Sequence, residues 1–358
     1  MVETNRIIRG DCVESLGHIP DSAVDLIFAD PPYNLQLKEE LYRPNNTKVD
    51  GVDDGWDKFG SFKEYDEFCA AWLGECRRIL KETGTIWVIG TYHNIYRVGS
   101  VMLDLGFWIL NDITWQKTNP MPNFRGKRFT NSAETLLWCS KGESCKKYTF
   151  NHKLMKRYNG GKQMGSVWRI GHCTGGERIK DASGRKAHST QKPEELLKRV
   201  ILASTKIGDT VLDPFFGTGT TGAAAKKLGR AFIGIEREAG YVEIAQKRLD
   251  GISGLWEEAG WVEDERQVRV PFTNLVKDSI VKAGDTLYAK EGRAAALVLE
   301  DGTLMCEGSA GSIHRIGAMV QRTPSCNGWK FWYAVKDGER LLIDDLRNEY
   351  IRRRHGAR

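Results

Sequence analysis

Residues 209–222 read Asp-Thr-Val-Leu-Asp-Pro-Phe-Phe-Gly-Thr-Gly-Thr-Thr-Gly. The run up to Asp213 is an apolar strand, a glycine-bearing turn follows, and the alanines from Ala223 open a helix. Gly217, Gly219 and Gly222 satisfy G-x-G-x-x-G, and a second apolar run, residues 231–235, delivers Glu236 at its end. Strand, glycine turn, helix and strand in this order belong to an open α/β sheet that binds a nucleotide-bearing cofactor beyond its strand ends. Glycine lets backbone approach a ligand, and a carboxylate at that place accepts hydrogen bonds from ribose hydroxyls. Nicotinamide dinucleotides and S-adenosylmethionine share both needs, so this stretch points to the fold and leaves the cofactor open.

A second strand end narrows the chemistry. The apolar run 24–29 leads directly into Asp30-Pro31-Pro32-Tyr33. Each proline fixes its own φ and forces the residue before it into extended geometry, so Asp30, the Pro31 carbonyl and Tyr33 are held in stiff relation. A carboxylate and a carbonyl are two acceptors, matching the two hydrogens of an exocyclic amine such as adenine N6, and the tyrosine ring can stack on a base. The plain alternative is a rigid strand exit carrying a surface aspartate.

Outward from these two strand ends the chain alternates. A short strand at residues 7–10 ends at Asp11, residues 34–59 are polar and weakly periodic, and Ser61 with Glu64 forms a capping box. Tyr65, Phe68, Trp72, Cys76, Ile79 and Leu80 then recur at helical spacing and read as core. Strands at 85–89 and 108–115 enclose a helical pattern at 94–105, and Pro193 begins a helix carrying Leu196, Leu197, Val200 and Ile201. The expected fold is α/β, a doubly wound Rossmann-like sheet.

The 358 residues are 41% hydrophobic and suffice for one large domain and a small one. No apolar run reaches membrane-spanning length and residues 1–6 lack a signal-peptide core, so the expected location is the cytoplasm. The eight cysteines include no C-x-x-C pair, and Cys139, Cys145, His172 and Cys173 fit no common zinc spacing, so reduced thiols and no metal are expected. Net charge is +6, yet residues 141–192 alone hold 13 Lys and Arg against three acidic residues. A charge run is usually a solvated face. This one interleaves Tyr148, Phe150, His152, Tyr158 and Trp168, which suits following a phosphate backbone and stacking on bases. The recognition segment is placed at about 117–192, with Arg125, Lys127, Arg128, Lys153, Lys156, Arg157, Lys162 and Arg169 as candidate DNA contacts.

Residues 263–271 read as a charged linker between a domain at 1–262 and a second at 272–358. The tail carries two Asp-Gly hairpin signals, at 301–302 and 337–338, and a helix-like end with three arginines, giving a small α+β module. Its aromatic run 327–333 reads first as a small core and second as a stacking platform, which makes Trp332 a candidate DNA contact.

Asp213-Pro214-Phe215-Phe216 with Asp30-Pro31-Pro32-Tyr33, in that inverted order and with the basic segment between, resembles the β-type amino-methyltransferases of nucleic acids. Together with the tail module and the length, the likeness over nearly the whole chain is to the cell-cycle-regulated bacterial DNA adenine-N6 methyltransferases. That resemblance implies S-adenosylmethionine as cofactor, double-stranded DNA as partner, adenine N6 in GANTC as target, and a homodimer as one assembly to test. It implies catalytic roles for Asp30, Pro31, Pro32 and Tyr33. It also implies cofactor contacts from Asp11 beside the adenine, Asp30, Asp213, Phe215, Gly217, Gly219, Thr220 and Glu236, and from Lys192 in residues 188–193 at the methionine end. The competing readings are cytosine-N4 or RNA amino-methylation, a nicotinamide-dependent oxidoreductase, and a non-catalytic DNA-binding protein.

Overall fold

The computed structural model describes residues 2–34, 57–123, 126–180, 184–188, 190–261, 270–289, 292, 294–336 and 338–355. The chain divides into two compact units, Met1–Glu263 and Asp264–Arg358.

In the first unit the described elements are β1 (Arg6–Arg9), α1 (Cys12–Gly17), β2 (Val24–Ala29), α2 (Phe62–Ile79), β3 (Leu80–Gly90), α3 (Ile95–Asp104), β4 (Trp108–Lys117) and β5 (Ala133–Ser140). They continue with α4 (His152–Tyr158), β6 (Val167–Ile170), α5 (Glu194–Ser204), β7 (Thr210–Asp213), α6 (Thr220–Lys227), β8 (Ala231–Glu236) and α7 (Ala239–Asp250). The strands form one sheet in the order β1-β8-β7-β2-β3-β5-β4-β6. Only β5 runs against the others, pairing antiparallel with both β3 and β4.

The sheet is covered on both faces, which explains why its central strands read as continuous apolar runs. Leu26 and Phe28 point into a core shared with α5, α6 and α7, whereas Ile27 and Ala29 point into one shared with α1, α2 and α3. The doubly wound reading therefore holds. From β2 the chain crosses to β3 on one side, and from β7 to β8 on the other. Because β2 and β7 are neighbours, with Leu26 opposite Val211, a crevice opens where the two windings diverge, beyond the carboxyl ends of both strands.

Local signals act as expected, with small displacements. Ser61 Oγ accepts from Glu64 N at 3.1 Å, but the returning Glu64 carboxylate binds Gly60 N at 2.9 Å rather than the cap residue's own N–H. Helix α6 begins at Thr220, three residues before the first alanine, because Gly219 at φ +77° makes the turn and serves as its cap.

The main departure lies in the segment read as a DNA-tracking surface. Residues 133–140 are a central strand, and Val167–Ile170 adds an edge strand beside β4. Trp168 is 4% exposed, tilted against Trp87 at 5.8 Å, so it is core and not a base-stacking ring.

The second unit holds α8 (Phe272–Lys277), β9 (Thr286–Ala289), β10 (Ala295–Val298), β11 (Leu304–Cys306), β12 (Ser309–Gly311), α9 (Ile313–Gln321), β13 (Trp332–Lys336), β14 (Glu339–Leu342) and α10 (Ile343–His355). Its sheet, in the order β12-β11-β10-β9-β13-β14, is antiparallel throughout. Lys336 stands opposite Glu339, so β13 and β14 form the hairpin expected at 337–338, although Asp337 itself lies outside the described residues. Trp332 is fully buried, donates Nε1 to the Ile313 carbonyl at 2.9 Å, and packs edge-on to Phe331. It is a core residue, which corrects its placement among the DNA contacts.

Candidate active site

Four strand ends converge on one cleft of about 390 Å³. Its lining takes Asp11 after β1, Asp30 to Tyr33 after β2, Asp213 to Thr218 after β7, and Glu236 at the end of β8, with His188, Thr190 and Lys192 from the approach to α5. The sequence motifs, up to 206 positions apart when Asp30 is counted to Glu236, thus share one wall-to-wall site because parallel strands carry all their carboxyl ends to the same edge.

The tetrapeptide after β2 is anchored on several sides. Tyr65 Oη, from the buried stripe of α2, donates to the Pro32 carbonyl at 2.8 Å, and Asn34 N donates to Asp57 Oδ1 at 2.7 Å. Asp30 Oδ2 receives the Lys192 ammonium at 2.6 Å, and Asp30 Oδ1 lies 2.9 Å from Tyr33 Oη. Tyr33 Oη also lies 3.0 Å from Glu134 Oε2, and Glu134 Oε1 is bonded to Lys117 Nζ at 2.7 Å. Lys117, Glu134, Tyr33, Asp30 and Lys192 therefore form one buried chain of charges and hydrogen bonds.

The two carboxyls in that chain are pushed apart. Burial raises Asp30 above the ordinary carboxylate range, outweighing the opposing pull of Lys192. Burial works the same way on Glu134, but there Lys192 and Lys117 prevail and hold the carboxyl below its usual value. Lys192 stays protonated: its burial is outweighed by Asp30 and Glu134.

On the cofactor side, Glu236 Oε2 accepts from Gly217 N at 2.7 Å and Oε1 from Glu238 N at 2.8 Å, so the carboxylate ties the glycine loop to the end of β8. Each oxygen keeps a second lone pair for a ligand hydroxyl. Asp213 is buried to about pKa 7, against hydrogen bonds from Thr221 Oγ1 at 2.5 Å and Phe215 N at 2.9 Å that favour its charged form. Phe215 stands edge-on to Trp72 at 5.2 Å beside Phe68, giving the cleft an aromatic wall.

Several candidate residues take other duties as well. Asp11 is the N-cap of α1, accepting from Val13 N and Glu14 N. Thr220 lines the cleft while its hydroxyl accepts from Arg248 Nη1 at 3.0 Å. Gly219 does not line the cleft, and at Gly222 an added Cβ would sit 2.5 Å from the Phe216 ring; both serve the turn and the packing of α6 rather than ligand approach. Lys192 lines the cleft with its ammonium on Asp30, a partner the sequence did not suggest.

Lys127, Arg128, Lys153, Arg157, Lys162 and Arg169 are exposed and Lys156 is half-buried; Arg125 lies outside the described residues. Arg157 is stacked over Trp261 at 4.0 Å, and Arg128 donates to Tyr92 Oη at 2.7 Å. Sequence reasoning missed Glu134 and Lys117 altogether. The signal was there in principle: Glu134 is the one acidic residue in the apolar run 133–140, which was not read as a strand.

The pattern of a family model described as DNA methylase, of the N6 and N4 type, matches residues 24–247, spanning both motif strands and the cleft between them. The chain belongs to this DNA methylase family. A second model, described as Restriction Enzyme Adenine Methylase Associated, matches residues 256–356. The methylase is 51% identical over 349 residues to Type II methyltransferase M.HinfI of Haemophilus influenzae, covering 97% of this chain and 96% of that protein. It is 47% identical over 245 residues to Type II methyltransferase M2.DpnII of Streptococcus pneumoniae, covering 68% and 89%. Among solved structures it resembles the M1.HpyAVI–SAM complex at TM-score 0.50 and 28% identity, over 68% of this chain and 98% of that one. It shares its fold with the cytosine-N4-specific PvuII DNA methyltransferase at TM-score 0.54 and 22% identity, over 71% and 89%. The protein is a DNA methyltransferase that uses S-adenosylmethionine. The methylase cleft fits that cofactor, combining an aromatic wall at Phe68 and Phe215 with carboxylates at Asp11 and Glu236.

Proposed function

We propose that the protein methylates adenine at N6 within a specific duplex site, GANTC by resemblance, after the base is extruded from the helix. The observation that carries this reading is the delivery of Asp30-Pro31-Pro32-Tyr33 and of the Asp213–Thr220 loop into one cleft from adjacent parallel strands. The description of the family matched by residues 256–356, which refers to adenine methylases, supports adenine over cytosine.

A base inside a duplex cannot reach the cleft, so extrusion is required, at a cost of a few kcal/mol. The Tyr33 ring replaces the lost stacking. Asp30 and the Pro31 carbonyl accept the N6 hydrogens, which draws nitrogen toward tetrahedral geometry and aims its lone pair along the line of attack. Bound S-adenosylmethionine supplies an electrophilic methyl on a sulfonium. Glu236 and Asp11 hold the ribose and adenine side of the cofactor, Phe215 its ring, and the backbone at Gly217 its close approach; Lys192 keeps Asp30 in place. Holding two reactants in line this way can contribute on the order of 7–11 kcal/mol to the acceleration.

The exposed cations of 127–169 follow DNA phosphates, and the unit from about 272 to 358 adds DNA contact. We place the protein with the nucleoid in the cytoplasm and as a homodimer, which a solution mass of twice the 40.4 kDa chain would support and a monomer mass would overturn. The deciding experiment is incubation with labelled S-adenosylmethionine and duplex DNA with or without GANTC, or RNA, followed by nucleoside analysis. N6-methyladenine confined to GANTC DNA supports the reading. N4-methylcytosine, or label in RNA alone, overturns it.

A further inference from the structure

Tyr33 Oη lies within hydrogen-bond distance of two carboxyl oxygens, Asp30 Oδ1 at 2.9 Å and Glu134 Oε2 at 3.0 Å, yet a phenol has a single hydrogen to donate. Two ionised carboxylates accept only, so one of these two contacts has no proton in it. The chain therefore has a seat for one further proton. Methylation of an exocyclic amine releases one proton per turnover.

We propose that Glu134 is a positioning residue for methyl transfer: it takes over the Tyr33 hydroxyl hydrogen when Asp30 receives the proton shed by the amine. The inference rests on the reading that Asp30 faces that amine. Nitrogen forms its bond to the methyl carbon as the carbon–sulfur bond breaks, with that electron pair remaining on sulfur. One N–H bond of the methylated, positively charged amine then breaks, its electron pair staying on nitrogen and its proton coming to Asp30 Oδ1. Before this step the Tyr33 hydroxyl donates to Asp30. Afterwards neutral Asp30 donates to Tyr33 Oη, and the hydroxyl hydrogen, turned about the C–O bond, donates to Glu134. No covalent bond of Tyr33 is broken, and both oxygen pairs end with a hydrogen between them.

The surroundings suit the exchange. Glu134 and Lys117 are paired at 2.7 Å with side chains 9% and 7% exposed, so the second acceptor is fixed in place from adjacent strands β5 and β4. Lys192 holds the far oxygen of Asp30 and leaves Oδ1 to Tyr33. Glu134 is held ionised by the two lysines while burial favours neutral Asp30, the division an acceptor and a proton holder require. Three further titratable groups among the described residues act on the cluster: Asp213 from β7, His172 after β6, and His188 on the approach to α5, which faces Lys192.

The test is single-turnover methylation as a function of pH, with Glu134→Gln, Tyr33→Phe and the double variant. In Glu134→Gln the amide oxygen stays on Lys117 and the amide N–H donates to Tyr33, which pins the hydroxyl hydrogen on Asp30. Each single variant is expected to slow methyl transfer about 100-fold, with the affinities for DNA and cofactor retained. The acid limb of the profile should move to lower pH in Glu134→Gln, where ionised Asp30 is favoured, and to higher pH in Tyr33→Phe, where its donor is gone. The double variant should be no slower than the slower single one. Static charge alone would move the limb and leave the pH-independent rate at the wild-type level, so a lowered plateau together with the shift marks the exchange. A wild-type rate with an unmoved limb in Glu134→Gln, or losses that multiply in the double variant, overturns the proposal. Should Glu134→Gln fail to fold by thermal unfolding, Tyr33→Phe decides alone, with a wild-type rate and unmoved limb counting against. If the wild type makes N4-methylcytosine, the adenine reading fails while this proposal stands, because both bases present the same amine.

Discussion

Asp30 has two neighbours that any substitution must respect. Replacing it by alanine removes the amine acceptor and also strands the Lys192 ammonium, whose side chain is 8% exposed. Truncating one partner of a buried pair costs about 3–5 kcal/mol. Asp30→Ala is therefore expected to lose both turnover and stability, whereas Asp30→Ala with Lys192→Met regains stability and stays inactive; urea melts and methylation assays separate the two effects. Recovery of turnover in the double variant would remove Asp30 from the chemistry. Asp213 gives a pH prediction. Its folded-state pKa of about 7 lies above the unfolded value near 3.8, so the folded protein binds the extra proton between those values. Stability linked to Asp213 is thus highest below about pH 4, falls as pH rises toward 7, and stays low above it. Asp213→Asn keeps an acceptor for Phe215 N and cannot ionise, so its advantage over wild type should grow through that window, up to about 4 kcal/mol. A constant difference in Tm from pH 4 to about 8 would refute this.

At the scale of elements, the turn from β7 into α6 is a packing device as much as a ligand loop. The Phe216 ring occupies the place of a Cβ at Gly222, with ring atoms at 2.5 Å and 3.1 Å. Gly222→Ala must displace that ring inside the α6–β8 layer and should cost about 1–3 kcal/mol in denaturant unfolding. The short helix α4 carries Lys153 and Arg157 outward on a base of Leu154 and Met155, which are 4% and 3% exposed. If these cations follow phosphates, Lys153→Ala or Lys162→Ala should lower the salt slope of DNA binding by about 0.9 and leave sequence preference unchanged. Unaltered slopes across Lys153, Lys156, Arg157, Lys162 and Arg169 would return the segment to a solvated face. Arg157 differs from the rest, since its guanidinium is also stacked over Trp261.

At the scale of the molecule, each unit has a core of its own, and that of the second is built around Trp332, Ile313, Leu287, Ile343 and Phe272. Trp332→Ala deletes a fully buried indole and its hydrogen bond to Ile313, so this unit should lose about 3–5 kcal/mol. Calorimetry is expected to show its transition moving down while that of the methylase unit stays. Any accompanying loss of DNA affinity would follow unfolding and not a lost stacking contact. A chain ending at Glu263 should bind cofactor normally and DNA more weakly; normal methylation of GANTC DNA by that chain would assign the second unit to another partner.

The sequence by itself determined the strands that end at Ala29 and Asp213, the helix from Ser61, and the two motifs at 30–33 and 213–218 that meet in the cleft, because each is written in contiguous residues whose propensity and spacing agree. Strand β5 escaped, since an apolar run gives no periodic signal once both its faces are buried, and this one directly precedes the strongly basic segment. Trp168 read as a stacking ring and Trp332 as core first and stacking ring second, because an indole in a core and an indole on a surface are the same letter, and only the neighbours differ. Tertiary structure alone decided the partners of Asp30. Lys192, Tyr33 and Glu134 stand 162, 3 and 104 positions from it, and they meet because the carboxyl ends of β2 and β4, the start of antiparallel β5 and the approach to α5 lie at one edge of the sheet. Register and burial, not composition, make that cluster a site.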